Sequence, residues 1–330
     1  MRLKKLLRDE MKNQFIGNLK EGDIVNSMFA VKYKKPPREY KSKSREGEWF
    51  EIRVSDKTGE ITAKYWGDDA AFTHKIYKSF DKDDIIFIRG KVNAYGNGIE
   101  ILIDPGKIRK CSPEEYDIRD FVDVTKKDRE EMVAELMEII ESIEEPYKSL
   151  LHSFFDDESF LEEFKDAPAA MHRHQNYLGG LLEHTLNVTK ICQRIYDIHP
   201  SLDYNLLMTG AILHDIGKVK EMKVSTSIDV SEEGMLLGHI VSGVEMLIEK
   251  IKVLGEFPER IKLKLIHIIL SHHGRLEYGS PKTPQFPEAY AIYFADEIDA
   301  KVDYTIRLKE EAETEDLWIW KRDVGHIYLK

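Results

Sequence analysis

The chain has 330 residues, of which 42% are hydrophobic and 33% charged, and its net charge is −11. That length allows two domains and a sizeable core, while no apolar run approaches the roughly 18 residues a membrane span needs. Two cysteines, Cys111 and Cys192, exclude a disulfide framework and a thiolate metal site and suit a reducing cytoplasm. The basic start, MRLKKLLRDEMK, lacks the apolar core of a signal peptide.

The charge is uneven. Residues 1–110 carry 24 Lys and Arg against 17 Asp and Glu, a balance of +7, whereas 111–330 carry 25 against 43, a balance of −18. Two domains with different tasks are expected, the first able to hold a polyanion. Within it, residues 23–33 read as a strand. Phe50, Ile52 and Val54 alternate with polar residues, as do Ile61, Ala63 and Tyr65 after the turn Asp56-Lys57-Thr58-Gly59. A short helix near 68–80 follows, then strands at 84–92 and 99–103 joined by Tyr95-Gly96-Asn97-Gly98, a strong hairpin signal. Five short strands with one helix after the third resemble an OB-fold, a small Greek-key barrel. Between its first two strands lies a basic loop with Lys34, Lys35, Arg38, Tyr40, Lys41, Lys43 and Arg45. Lys64 and Trp66 share one strand face, a charge beside a stacking platform, which suits single-stranded nucleic acid. The plainer readings are a solvated charged turn for the loop and burial against the helix for Trp66.

Residues 111–128 lose the alternation and read as a linker, so the expected domains are 1–110, the linker, and 129–330. From Arg129 the apolar positions Met132, Leu136, Ile139, Ile140 and Ile143 mark an amphipathic helix. Pro146 begins another. Helices are expected at about 158–166, 178–198, 203–219, 236–252, 258–273 and 286–310. Trp318, Trp320 and Tyr328 lie in an aromatic tail that either packs a subunit contact or covers the helical core, core cover being the simpler expectation.

Inside these apolar helical segments stand His184, His214-Asp215, His239, His272-His273 and Asp296. Buried imidazoles and carboxylates are costly unless something binds them. Each histidine alone reads more simply as a hydrogen-bonded core or surface residue; the set points to metal, and its size to two ions. An adjacent His and Asp offer one nitrogen to a metal and one carboxylate able to bridge two. Lys218 follows Asp215 by three residues, one helical turn away, where it could meet a phosphate oxygen. Gly217 would let a substrate backbone approach. His174 could contact the scissile phosphate or cap a helix, and Glu183 points away from its neighbour His184.

The order H…HD…H…HH…D, with its HD-x-G-K core, resembles the HD-domain superfamily of metal-dependent phosphohydrolases over roughly residues 145–310. His184, His214, Asp215 and Asp296 match that family's four ligands, and His239, His272 and His273 match the extra ligands of its two-metal members. HRHQNYLGGLLEHTLNV, HDIGK, GHI, SHHG and ADEIDAKVD are similar to the YhaM-type 3′→5′ exoribonucleases, which also carry an OB-fold before the HD domain. The resemblance implies an all-β OB-fold barrel followed by an all-α HD-domain bundle. It also implies exonuclease activity on single-stranded RNA or DNA, and a tendency to form homo-oligomers.

Nitrogen and oxygen ligands suit Mn, Fe, Co, Ni or Zn, and the resemblance favours Mn. Asp215, Lys218 and His174 are the expected catalytic residues, with water activated by two ions bridged by Asp215. A nucleotide or cyclic-dinucleotide phosphohydrolase, with the OB-fold serving assembly, is the alternative. A non-catalytic module with structural metals is a third reading.

Overall fold

The computed structural model describes residues 12–40, 46–96, 98–171, 175–312, 314–322 and 324–330. The chain forms two compact units. One runs to Asp123 and takes in Ser225–Ser227; the other comprises Val124–Val224 and Ile228–Lys330.

The first unit is a β-barrel of β1 (Ile24–Lys34), β2 (Arg38–Glu39), β3 (Glu48–Asp56), β4 (Gly59–Gly67), β5 (Ile85–Tyr95) and β6 (Gly98–Lys110), with helix α1 (Ala70–Tyr77) between β4 and β5. The sheet order is β1-β5-β6-β4-β3-β2, and β3 also pairs with β1, which closes the barrel. β4 and β6 run parallel, the pairing that the helical crossover permits. Alternate residues fill the interior: Phe50, Ile52 and Val54 from β3, Ile61, Ala63 and Tyr65 from β4. This is the OB-fold topology expected from the alternation.

Three details differ from the sequence expectation. β2 adds a short strand inside the basic loop, where Arg38 pairs opposite Trp49. β6 continues past Ile103 to Lys110, because the turn-like Asp104-Pro105-Gly106 is absorbed as a bulge opposite β5. The segment after Cys111 is no loose tether. Cys111 and Phe121 are buried beside Met28, Ala30 and Ile85.

The second unit is helical: α2 (Arg129–Glu141), α3 (Tyr147–Phe155), α4 (Glu158–Asp166), α5 (Gly180–Ile198), α6 (Tyr204–Leu213), α7 (Lys218–Glu221), α8 (Glu232–Leu254), α9 (Glu259–Ser271) and α10 (Pro287–Glu310). Asp128, Asp157, Asp203 and Ser231 cap helix N-termini by accepting backbone N–H bonds. One continuous core spans these helices, with Leu181, Leu207, Leu213, Leu247, Ile268 and Ile292 at its centre. The helix expected over 203–219 ends at Leu213, and residues 214–217 form a tighter turn before α7. Two hairpins were not foreseen, β7 (Met222–Val224) with β8 (Ile228–Val230) and β9 (Trp318–Lys321) with β10 (Gly325–Tyr328). Trp318, Trp320 and Tyr328 stand on the second hairpin and remain about half exposed rather than covering the core. Among the described residues, no helix is long and apolar enough to cross a membrane.

Candidate metal centre

Five separate pieces of backbone converge on one point. α5 presents His184, the turn after α6 presents His214 and Asp215, α8 presents His239, the end of α9 presents His272 and His273, and α10 presents Asp296. All seven candidate ligands named from the sequence meet there, in two groups: His184, His214, Asp215 and Asp296, and His239, His272 and His273.

Asp215 joins the groups. Its Oδ2 lies 3.4 Å from Nε2 of both His184 and His214, and its Oδ1 lies 3.3 Å from Nε2 of His272 and 3.6 Å from Nε2 of His239. Each oxygen of one carboxylate therefore serves a different histidine set. Asp296 Oδ1 is 3.2 Å from His184 Nε2.

The histidines are turned so that one nitrogen of each is already used. Nδ1–H of His214, His272 and His273 donates to the carbonyls of Ala211, Ile269 and Tyr278, at 2.8, 2.8 and 3.1 Å. Carbonyls only accept, so Nδ1 must carry the proton. His184 Nδ1 donates to Asp299 at 2.7 Å, and His239 Nδ1 to Glu221 at 2.9 Å. Every Nε2 then points inward. Nε2 of His184 lies 3.3 Å from Nε2 of His214, and Nε2 of His239 lies 3.3 Å from Nε2 of His273. Asp215 Oδ1 and His272 Nε2 are buried with no hydrogen-bond partner. Unpartnered buried acceptors facing one another are unfavourable. Divalent cations among them turn repulsion into coordination, and oriented imidazoles with carboxylate or carbonyl partners are the usual support of such ligands. The donor set fits a divalent metal.

Electrostatics agree. Burial opposes ionisation of Asp215, but Lys218 and the imidazoles outweigh it and hold the carboxyl well below the usual carboxylate range. Burial would strip a proton from His184, but Asp215, Asp296 and Asp299 outweigh that and hold it protonated; a metal ion would take that proton's place. Burial, with His272 and His239 alongside, pushes His273 down to about 3, so it stays neutral and ready to ligate.

The local fold explains how these groups arrive. Gly238 has φ +72° and breaks α8, which was expected to run unbroken from residue 236. The break leaves the His239 N–H free of the helix ladder, and it donates to Glu221 Oε1 at 3.2 Å. Gly217 is needed for a reason other than substrate approach: a Cβ there would sit 2.0 Å from the carbonyl oxygen of His239. The chain's own backbone, not a ligand's, takes that space.

Lys218 is buried, and its Nζ lies 2.5 Å from Asp215 Oδ2. The ammonium stays charged because Asp215 and Asp296 outweigh the cost of burial. It lines a cleft of about 610 Å³ together with His273, Asp296, Tyr278 and Lys301. His174 lies outside the described residues. Glu183 is turned to Thr125, Tyr177 and Lys127. Asp299 and Glu221 escaped the sequence reading. A signal existed: Asp299 follows Asp296 by three residues on α10, and Glu221 follows Lys218 by three.

On the barrel, the expected nucleic-acid contacts fare unevenly. Lys34 Nζ donates to the carbonyls of Tyr77 (2.9 Å) and Phe80 and pairs with Asp81 at 3.0 Å. Lys35 pairs with Glu51 at 2.6 Å. Lys64 is buried, 2.7 Å from Glu100, with its Nζ over the Tyr95 ring. These three cations are engaged by the barrel itself. Trp66 is half-buried. It stacks between Tyr40 (5.6 Å, 5°) and Trp49 (5.2 Å, 16°), and Trp49 was not foreseen. Arg38 is exposed at the same edge. Lys41, Lys43 and Arg45 lie outside the described residues.

A barrel of nucleic-acid-binding type ahead of a helical His/Asp metal centre defines a metal-dependent hydrolase acting on nucleic acid. Family models agree: an OB-fold nucleic acid binding domain matches residues 38–107, and an HD domain matches 181–301. The 3'-5' exoribonuclease YhaM of Bacillus subtilis (strain 168) is 33% identical over 79% of this chain and 81% of its own length. That of Shouchella clausii (strain KSM-K16) is 34% identical over 79% of each. A solved structure of a replication factor A related protein from Methanobacterium thermoautotrophicum matches 30% of this chain and 91% of its own at 25% identity, with a TM-score of 0.26. The chain belongs to the YhaM 3′–5′ exoribonuclease family.

Proposed function

We propose that this protein trims single-stranded RNA from its 3′ end, one nucleoside 5′-monophosphate at a time, using two divalent ions, manganese being the favoured pair. The observation that carries this reading is the divided carboxylate of Asp215, one oxygen toward each histidine set. His184, His214 and Asp296 would hold one ion and His239, His272 and His273 the other. Such ions polarise a phosphodiester and lower the pKa of water.

The chain's own residues do the rest. In the hydrolysis, a water oxygen joins phosphorus, the bond to the penultimate 3′ oxygen breaks, and that oxygen leaves with a proton. Lys218, charged and on the cleft wall, stabilises the equatorial phosphate oxygens as charge builds. Asp299 and Glu221 keep His184 and His239 in the ligating tautomer. The Tyr40–Trp66–Trp49 stack with Arg38 offers the strand a surface on the barrel. The barrel unit, through Asp123, would bind and the helical unit from Val124 would cut, in the cytoplasm, with homo-oligomers forming through exposed surface.

The test is a 5′-labelled RNA given to the protein with Mn²⁺, with DNA in parallel. A ladder shortening from the 3′ end, absent for Asp215→Ala, is expected. No ladder with any of several metals, together with turnover of a mononucleotide or cyclic dinucleotide, would replace this reading by a small-molecule phosphohydrolase. Lys218→Ala is expected to lower turnover and keep its metal; lost metal would make Lys218 a structural residue.

A further inference from the structure

The hairpin β9–β10 has two unlike faces. Trp318 pairs opposite Tyr328 and Trp320 opposite His326. Residues directly opposite in an antiparallel pair project to the same side, so these four side chains share one face. That face is open: Trp318 is 54% exposed, Trp320 61% and Tyr328 49%. Ile319 and Ile327, on the reverse, are half-buried. The Trp318 and Tyr328 rings lie 4.9 Å apart. Large aromatics grouped in water mark an interaction surface rather than a core.

The turn between the strands reaches the metal centre. Val324 lines the same cleft as Lys218, His273, Asp296 and Lys301. Just before it come Lys321 and Arg322, and Lys330 follows β10, so residues 316–330 hold three cations against Asp316 and Asp323. The rest of this half of the chain is strongly acidic. Cations beside an aromatic face and a metal cleft match what single strands require, namely rings for successive bases and cations for the phosphates.

We propose that the β9–β10 hairpin is a second single-strand-binding element, separate from the barrel, on which the bases next to the cleft stack. Trp318, Trp320 and Tyr328 take bases, Arg322 in the turn meets a phosphate, and the turn at Val324 leads the 3′ end toward Lys218. The occupant is a single-stranded oligonucleotide. Continuity with the cleft favours it over a second copy of this chain, because a surface serving only subunit contact gains nothing from a turn that walls the reaction site. The inference rests on the exonuclease reading above.

The experiment compares Trp318→Ala/Trp320→Ala with Trp318→Phe/Trp320→Phe, both in full-length protein carrying Asp215→Ala to stop degradation. Affinity for a fluorescein-labelled 20-mer RNA is read by anisotropy, and subunit number by sedimentation. The alanine pair is expected to raise Kd by about tenfold or more, the order expected for loss of a stacked base. The phenylalanine pair is expected to stay near the parent. Should the Asp215→Ala background not fold, the same pairs are read as KM against kcat in the native sequence, with the rise confined to KM. An unchanged Kd or KM in the alanine pair overturns the inference. So does an unchanged Kd with fewer subunits, which would make the face a contact between copies. Failure of the exonuclease reading is seen separately, as absence of RNA degradation by the unsubstituted protein.

Discussion

The barrel and the helical unit both bury charge, and they do so differently. In the barrel, Lys34 caps the end of α1 and pairs with Asp81, Lys64 pairs with Glu100, and the more open Lys35 pairs with Glu51. Each cation finds its partner in its own fold. In the helical unit, His272 Nε2 and Asp215 Oδ1 are buried and find none, while the Nδ1 of every histidine in the cluster has a partner. A buried charge that is paired adds to stability; buried lone pairs left over and converging on one point, with their rings held in place, suit a ligand. The contrast separates residues that look functional in sequence from those that the fold sets aside for chemistry.

The comparison breaks most sharply at Asp215. Asp215→Ala removes a ligand from both groups, and RNA degradation is expected to fall below detection with metal content reduced, read by gel assay and elemental analysis. Full metal content in a folded Asp215→Ala protein would remove the bridge from the argument. Next come the residues behind the ligands. Asp299→Ala and Glu221→Ala free the Nδ1 of His184 and His239, and each is expected to weaken metal binding by about 10–100-fold, measured by calorimetric titration. Equal effects on both ions would show that the two groups are not distinct.

A smaller effect tests the barrel. Lys34→Met is expected to cost about 1–3 kcal/mol of barrel stability, the order for buried carbonyls losing a charged donor, read by urea denaturation. A loss of RNA affinity without a loss of stability would return Lys34 to the binding surface. Smallest is the loop: replacing Lys41, Lys43 and Arg45 by Ser is expected to flatten the slope of log affinity against log salt by about 2, at roughly 0.7 per phosphate on a single strand. An unchanged slope would mean the loop does not touch the backbone of the strand.

How much of this could be read beforehand follows the same divide. The candidate ligands were legible because polar residues in apolar helical segments violate the helix pattern, and each of His184, His214, His239 and His272 does so. Asp299 and Glu221 were not, since an acid on a mixed helix looks like any solvated acid; only the fold shows which imidazole it faces. The Gly238 break was hidden because the residues around it continue the helical periodicity. β6 was cut short because Asp104-Pro105-Gly106 reads as a turn, and only pairing with β5 carries the strand across. The lysines of the barrel were legible as charge but not as partners, because their acceptors lie elsewhere along the chain: the carbonyls of Tyr77 and Phe80 for Lys34, Glu51 for Lys35 and Glu100 for Lys64. The aromatic hairpin misled in the opposite sense, since rings in a tail read as core cover until their exposure is seen.

The seven ligands come from segments over a hundred residues apart at the extremes, His184 and Asp296. Ions held between them would act on the chain as a knot of cross-links does, closing long loops that the unfolded polypeptide must otherwise leave open. The helical unit would then owe part of its cooperativity to what it binds. Stripping the metal is expected to speed amide hydrogen exchange together in α5, α8, α9 and α10, ahead of any change in the barrel strands. The nuclease would then lose its shape and its chemistry in the same step, so a cell that limits metal would be limiting the lifetime of the enzyme as well as its rate.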